Sequence, residues 1–451
     1  MKVIEQILFQ SIEEVGNLYR KKEVSPVEVT EATLNRLYSL EPKLNAFITV
    51  LHDEAIEEAK RAEAVFLRGE QAGRLTGIPI SIKDIFMTKG TRTSLASRIL
   101  ANHVPDHNSH VYTALRNAGA VVFGKNNMLE FAYGSVHSDY GQCNNPWDTK
   151  RTSGGSSTGS AASVGAGIGF ASIGTDTGGS IRIPAAFCGV VGMKPSYETV
   201  NSYGLFPLSD SLDHIGPLTR TVRDNAYVLQ EIATRPCDFT HTFTGDIHGV
   251  NIGVIREFID DTLHPEVRSL FESAVVQLQE LGADITEVDI PGILTAEEAG
   301  MPIILAEASY HHREWVPGRA EDYAPGTYGN LREGLKIDAV SYLQALEARR
   351  QFTNVVNEAF EKVDILICPT APYPATEKDP SFEDGNIDIS KRTIPFNITG
   401  HPALSVSAGN TASLNLPVGL QLIGRYYEEE TVYRVADAYQ QATGGYRRPP
   451  L

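Results

Sequence analysis

The chain has no excess of basic residues. Among its 451 residues, 39 Lys+Arg face 56 Asp+Glu, a formal net charge of −17. A surface that holds a polyanion needs the opposite balance, so nucleic acid is not an expected partner. Cysteine is scarce: Cys143, Cys188, Cys237 and Cys368 lie far apart, with no C-x-x-C pair. That excludes a disulfide framework, and the apolar neighbours of Cys188 and Cys368 mark buried free thiols, as a reducing cytoplasm allows. Long apolar runs are missing too. The longest, Ala161 to Gly174, is interrupted by Gly and Ser and is too short to span a bilayer. The N-terminal MKVIEQILFQSIEEVG carries acids where a signal peptide needs an unbroken apolar stretch. A cytoplasmic protein with no membrane partner is expected.

What is present is ordinary globular composition, 42% apolar and 21% charged, at a length that builds a sizeable core. Ser25, Pro26 and Glu28 make a helix start, with apolar residues recurring at helical spacing through Val29, Leu34 and Leu37. A second helix is predicted over about 53–68. GIPISIKD then reads as a strand that delivers a charged side chain at its end. A helix over about 109–118 leads into the strand GAVVFGK. NIGVI and ADITEVDI are strands flanking a helix at 265–281. VDILICPTAP, HPALSVSAG and LPVGLQLIG are further strands, and a helix over 428–442 closes the chain. This alternation predicts an α/β fold, a mixed central sheet surrounded by helices in a single domain spanning 1–451. Within it, 1–70 supplies N-terminal helices, 71–235 the core, 236–345 a variable region and 346–451 strands and a helix that complete the sheet. The segments 236–249 and 378–390 are expected surface excursions.

Residues 151–195, RTSGGSSTGSAASVGAGIGFASIGTDTGGSIRIPAAFCGVVGMKP, are too rich in interleaved Ala, Val, Ile and Phe for a flexible Gly/Ser linker. Dense glycine here serves close backbone approach and presents N–H groups to an anion or oxyanion. A phosphate-binding loop is excluded by the missing G-K-[ST]. GSSTG matches G-x-S-x-G at Ser157, but a polar loop precedes it where that motif needs a strand. His103, His107 and His110 have spacing that suits a metal, yet no further ligand pattern joins them, so no metal site is assigned.

Together with GIPISIKD, this segment resembles the amidase signature family of serine hydrolases. The likeness continues through YGLFPLSDSLDHIGPLTRTVRD, VDILICPTAP and LPVGLQLIGR and covers most of the chain. The resemblance implies a Ser–cis-Ser–Lys triad: Ser180 as nucleophile, Ser156 as the bridging serine after a cis peptide bond, and Lys83 as base. It implies an oxyanion hole from the N–H groups of Thr177, Gly178, Gly179 and Ser180, with Asp176 and Arg182 shaping the loop and Ser157 assisting. Thr158 departs from the usual GGSSGGS, where glycine is common. The resemblance further implies a homodimer, and no cofactor.

The chemistry suits these residue types. Serine needs an adjacent base, and a lysine with an unperturbed pKa of about 10.4 must be pushed toward neutrality by burial. Ile80, Ile82, Ile85 and Phe86 supply apolar neighbours for Lys83. A second serine, both donor and acceptor, passes the proton between nucleophile and base.

Two functions share this triad. One is a stand-alone hydrolase of a small-molecule amide, with ester, anilide or carbamate also feasible. The alternative is the A subunit of glutamyl-tRNA amidotransferase, which releases ammonia from glutamine beside partner subunits. A stretch resembling SSNLARYDGVRYG is expected near 300 in that case. Here MPIILAEASYHHREWVPGRAEDYAPGTYGNLREG stands there, which favours the stand-alone hydrolase. Its 236–345 region then builds the pocket mouth with Trp315, Tyr323 and Tyr328. By the same resemblance Phe131 and Tyr133 line the acyl side; nothing in the sequence identifies a fixed cation for an acidic substrate, with Arg313 and Arg319 the candidates.

Overall fold

The computed structural model describes residues 2–379 and 388–451. The second predicted excursion, 378–390, therefore lies largely outside the described residues. The N-terminal helix Pro26–Leu44 begins as its sequence dictates. The Ser25 N–H donates to Glu28 Oε2 at 2.8 Å, and the Glu28 N–H returns a bond to Ser25 Oγ at 3.2 Å. This reciprocal pair satisfies two N–H groups that a helix start leaves unpaired.

Eleven strands form one sheet: β1 Phe47–Val50, β2 Pro79–Lys83, β3 Val121–Asn126, β4 Ala171–Asp176, β5 Val191–Lys194, β6 His214–Thr219, β7 Asn251–Ile255, β8 Asp284–Val288, β9 Ile365–Pro369, β10 Ala403–Asn410 and β11 Pro417–Gly424. Their spatial order is β1-β3-β2-β4-β6-β5-β10-β11-β9-β7-β8. β2 runs parallel to both β3 and β4, and β7 runs parallel to β8 and β9. The strands between these two groups pair antiparallel. The predicted mixed α/β sheet is thus observed, and seven of its strands were legible from apolar patterning.

The four strands not foreseen are β1, β4, β5 and β6. Two of them, β4 and β5, lie in the Gly/Ser-rich segment, where small residues hide strand periodicity. Their smallness has a packing cause. The helices Thr158–Gly165 and Arg182–Cys188 are buried on every residue and lie close to their neighbours. A Cβ on Gly159 would stand 2.1 Å from the Ala46 carbonyl oxygen, so only glycine fits there.

The register decides where chemistry can gather. Lys83 ends β2 and pairs with Asn126, the last residue of β3. Asp176 ends β4, the parallel neighbour of β2 on its other side. β6 runs the opposite way, and its first residue, His214, pairs with Asp176. Lysine and carboxylate therefore arrive at one edge, where the carboxyl ends of the parallel strands point.

The 236–345 region divides in two. Residues 236–249 cross the surface, pinned by the buried Phe239 and Ile247. β7, the helix Pro265–Glu280 and β8 then finish one end of the sheet. The helices Glu297–His312, Pro325–Gly334 and Ala339–Ala359 pack together as a cap. All four cysteines are free, with Cys143, Cys188 and Cys368 buried. Among the described residues, no helix is long and apolar enough to cross a membrane.

Replacing Gly159 with alanine drives a methyl into the Ala46 carbonyl and is expected to destabilise the protein by about 3 kcal/mol. Gly318→Ala, which meets nothing within 4 Å, should stay within about 0.5 kcal/mol of the wild type. Denaturant unfolding of the two variants checks this, and equal midpoints would contradict the packing account.

Candidate active site

Every residue of β2 is buried, so Lys83 carries its amine into a water-free environment. Nζ donates to Ser156 Oγ and to Thr175 Oγ1, both at 2.8 Å. Burial lowers the Lys83 pKa to about 7, against the opposing pull of the Asp213 and Asp176 charges. The amine is thus poised to lose its proton near neutrality, as a general base requires.

Ser156 follows a cis peptide bond from Gly155. A Cβ on Gly155 would lie 2.3 Å from Leu129 Cδ1, so glycine is needed for this close passage. Ser157 is spent on the sheet. β4 pairs with β2 only as far as Ile173. Beyond that, the Ser157 hydroxyl accepts from the Thr175 N–H at 3.3 Å and donates to the Thr175 carbonyl at 3.1 Å. Thr158 donates its hydroxyl to the Asn127 carbonyl at 2.9 Å.

The loop after β4 is tied by a buried ion pair. Arg182 gives Nε to Asp176 Oδ2 at 3.0 Å and Nη2 to Oδ1 at 2.8 Å. Its remaining N–H groups reach the Thr393 carbonyl, Gln421 Oε1 and Asn397 Oδ1. Burial by itself would raise the Asp176 pKa, but the charge and hydrogen bonds of Arg182, with those of Asn397, hold it well below the usual carboxylate range. Asp176 also accepts the Gly179 N–H at 2.8 Å and the Ile181 N–H at 3.0 Å. This corrects one expectation. Gly179 points its N–H inward and does not offer it to an oxyanion, while among the described residues no partner takes the N–H of Thr177, Gly178 or Ser180.

These groups border a cavity of about 90 Å³. Ser156, Ser180, Thr177 and Gly178 line one side, and Leu129, Tyr133, Leu208, Met301, Ile304 and Ile394 make apolar walls. Asn330, Asp379 and Ser390 supply its polar outer groups. Tyr133 is among the lining residues. Phe131 is not: it is 1% exposed and packs its ring against Phe206, His312, Trp315 and Tyr323. A left-handed backbone at Phe131 turns it away from the cavity that its neighbours Leu129, Ala132 and Tyr133 line. Tyr323 is therefore buried core, and Trp315 is half-buried against it. Arg319 pairs with Asp322, and Arg313 lies over Tyr310, so neither arginine reaches the cavity. Among the described residues, no group of three or more His, Cys, Asp or Glu side chains is placed to hold a metal.

Several participants were missed. Asn397 donates to the Asp176 carboxylate from 221 residues away, and no local signal announces such a contact. Lys125 could have been found. It lies near the end of β3, as Lys83 ends β2, and forms a buried ion pair with Asp84 at 3.0 Å.

A buried lysine bonded to a serine, beside a cavity lined by a second serine and by backbone N–H groups that no partner takes among the described residues, is an arrangement suited to serine-based hydrolysis without histidine. A family-level sequence profile described as Amidase matches residues 28–433. The chain belongs to the amidase signature family of hydrolases. It is 40% identical to the A subunit of the glutamyl-tRNA(Gln) amidotransferase of Heliobacterium modesticaldum, over 97% of each chain. Its structure is similar to that of the same amidotransferase component from Thermotoga maritima, with a TM-score of 0.82, 34% identity and 98% of each chain covered. It is also similar to a bacterial aryl acylamidase of the amidase signature family, with a TM-score of 0.88, 26% identity and 96% of each chain covered.

The end-to-end likeness to these amidotransferase components overturns the stand-alone small-amide hydrolase, and with it the expectation of a small amide as sole partner and of no nucleic acid. The cause of the error is visible in the fold. The stretch near 300 that counted against the amidotransferase forms the cap helices, which must cover a cavity with apolar side chains and can do so with many sequences.

The lowered Lys83 pKa makes a stability prediction. The unfolded chain keeps this lysine protonated to about pH 10.4, whereas the folded chain releases the proton near pH 7. Between those values the unfolded state binds more protons, so folding gains stability as pH rises, on the order of 4 kcal/mol in total. Lys83→Met should remove that rise in denaturation measurements between pH 7 and 10; an unchanged slope would show that Lys83 stays charged in the fold.

Proposed function

We propose that the chain is the amide-cleaving subunit of a glutamyl-tRNA(Gln) amidotransferase, releasing ammonia from glutamine in company with partner subunits. The observation that carries this reading is the 40% identity to the A subunit of one such enzyme over 97% of both chains. The cavity is compatible with an amino-acid amide. Asp379 borders it with an Oδ2 that has no partner among the described residues, an acceptor for an ammonium group, and the Asn330 side-chain amide can donate to a carboxylate.

In this proposal Ser180 Oγ attacks the side-chain amide carbon, passing its proton through Ser156 to neutral Lys83. The N–H groups of Thr177, Gly178 and Ser180 meet the oxyanion, each worth about 3–4 kcal/mol of transition-state stabilisation when well aimed. Lys83 returns the proton through Ser156 to the departing nitrogen, ammonia leaves, and an acyl-enzyme remains for water to cleave. Asp176 and Arg182 hold the loop, and Ser157 holds the end of β4.

Ammonia release from glutamine tests this, measured with the chain alone and with the remaining subunits of a glutamyl-tRNA(Gln) amidotransferase added. Release that rises with the added subunits and falls at least about a thousandfold in Ser180→Ala is expected. Turnover that survives Ser180→Ala removes it as nucleophile, and silence toward glutamine in the full assembly sinks the amidotransferase assignment. The kcat/KM profile should rise with pH through about 7, since Lys83 must be neutral to act. A profile flat from pH 6 to 8 contradicts that role.

A further inference from the structure

β6 brings another carboxylate to the edge where Lys83 ends. Asp213 directly precedes β6, whose first residue pairs with Asp176. Its Oδ1 accepts the Thr177 hydroxyl at 2.5 Å, while Oδ2 accepts the N–H of Leu208 at 2.9 Å and of Ser209 at 3.2 Å. One carboxylate thus grips the first residue of the loop that carries Ser180 and the wall residue Leu208.

The charges around Lys83 are unequal. Asp176 is neutralised by Arg182. Asp213 forms no ion pair with any Arg, Lys or His among the described residues, and of the two acids it acts the more strongly on Lys83. Its other side faces a second cavity of about 700 Å³, lined among the described residues by Glu198, Asp210, Glu429 and Glu430 with Arg235 as the one cation, Asp210 being bonded to His311 at 2.6 Å. That surplus of acids does not offset the Asp213 charge. Burial raises the Asp213 pKa to about 6, with the three hydrogen bonds and Lys83 pulling it down, so the carboxylate is largely ionised at neutral pH.

We infer that Asp213 is a positioning residue for the reaction: it fixes Thr177, and with it the N–H groups that face the cavity, and it is the negative charge against which Lys83 gives up its proton. Burial drives the amine toward neutrality and Asp213 limits how far. This rests on the roles proposed for Lys83, Ser156 and Ser180, and not on the identity of the amide.

Labelling of the full chain by phenylmethanesulfonyl fluoride tests it without a substrate. Ser180 Oγ attacks the sulfur, the S–O bond forms, the S–F bond breaks, the serine proton passes through Ser156 to Lys83, and fluoride leaves. In the wild type the labelling rate should be half-maximal near pH 7. Asp213→Asn should move that half-point down by about half a unit or more, because removing a negative charge destabilises the ammonium form. Thr177→Val, which keeps the carboxylate but removes one of the three bonds that hold its charge, should move the half-point less than Asp213→Asn does and lower the plateau rate about tenfold. Asp213→Glu, the measurement to use should the Asn variant not fold, should hold the half-point within about 0.2 units with a slower plateau. A half-point that stays put in Asp213→Asn, or moves as far in Thr177→Val or Asp213→Glu, overturns the inference. Labelling undiminished in Ser180→Ala overturns instead the serine assignment beneath it, and takes the inference with it.

Discussion

Where neither meets water, the carboxylate of Asp176 and the guanidinium of Arg182 neutralise each other, and the loop between them is shaped by that contact. A buried pair of this kind is tolerable only when its remaining donors and acceptors are satisfied. Here they are, by Gly179 and Ile181 N–H groups, by Asn397 and Gln421 side chains and by the Thr393 carbonyl. Each bond that satisfies the pair also removes a freedom from the loop. Gly179 is turned inward, and the N–H groups on either side of it have no partner among the described residues and border the cavity. The loop's geometry is in this sense the by-product of hiding two charges.

A second economy follows from strand direction. Parallel β2 and β4 end together, and antiparallel β6 begins beside them, so a lysine, two threonines and two aspartates converge from three separate stretches of sequence. The lysine is buried because its strand lies inside the sheet with a neighbour on each side, and its basicity falls with that burial. Position in the sheet sets the chemistry of the side chain.

How much of this was readable beforehand depended on the range of the interactions. Local signals were reliable: the capping box at Ser25, the apolar strands β2, β3 and β7 through β11, and the glycine-dense segment as folded backbone. Lys83, Ser156 and Ser180 were legible through family resemblance, because their motifs are short and contiguous. Phe131 was misplaced because its left-handed backbone, which reverses the side chain relative to Tyr133, leaves no mark in the sequence. The partners Asn397, Gln421 and Thr393 were not visible either, since each meets Arg182 from a distant segment of the chain, and the inward turn of Gly179, though its acceptor Asp176 is only three residues away, leaves no mark in the residue types. The cap misled for the opposite reason: its sequence was readable, but covering an apolar cavity constrains it too weakly to report on partners.

The guanidinium of Arg182 is met by groups from the carboxyl-terminal fifth of the molecule, Thr393, Asn397 and Gln421, although Lys83, Ser156 and Ser180 all precede residue 200. During synthesis, which proceeds from the N-terminus, the reactive residues emerge long before the groups that set their loop. A nascent or truncated chain would hold the whole triad and still lack the shaped loop. The loop after β4 is in effect set last, by contacts that only the finished chain can supply.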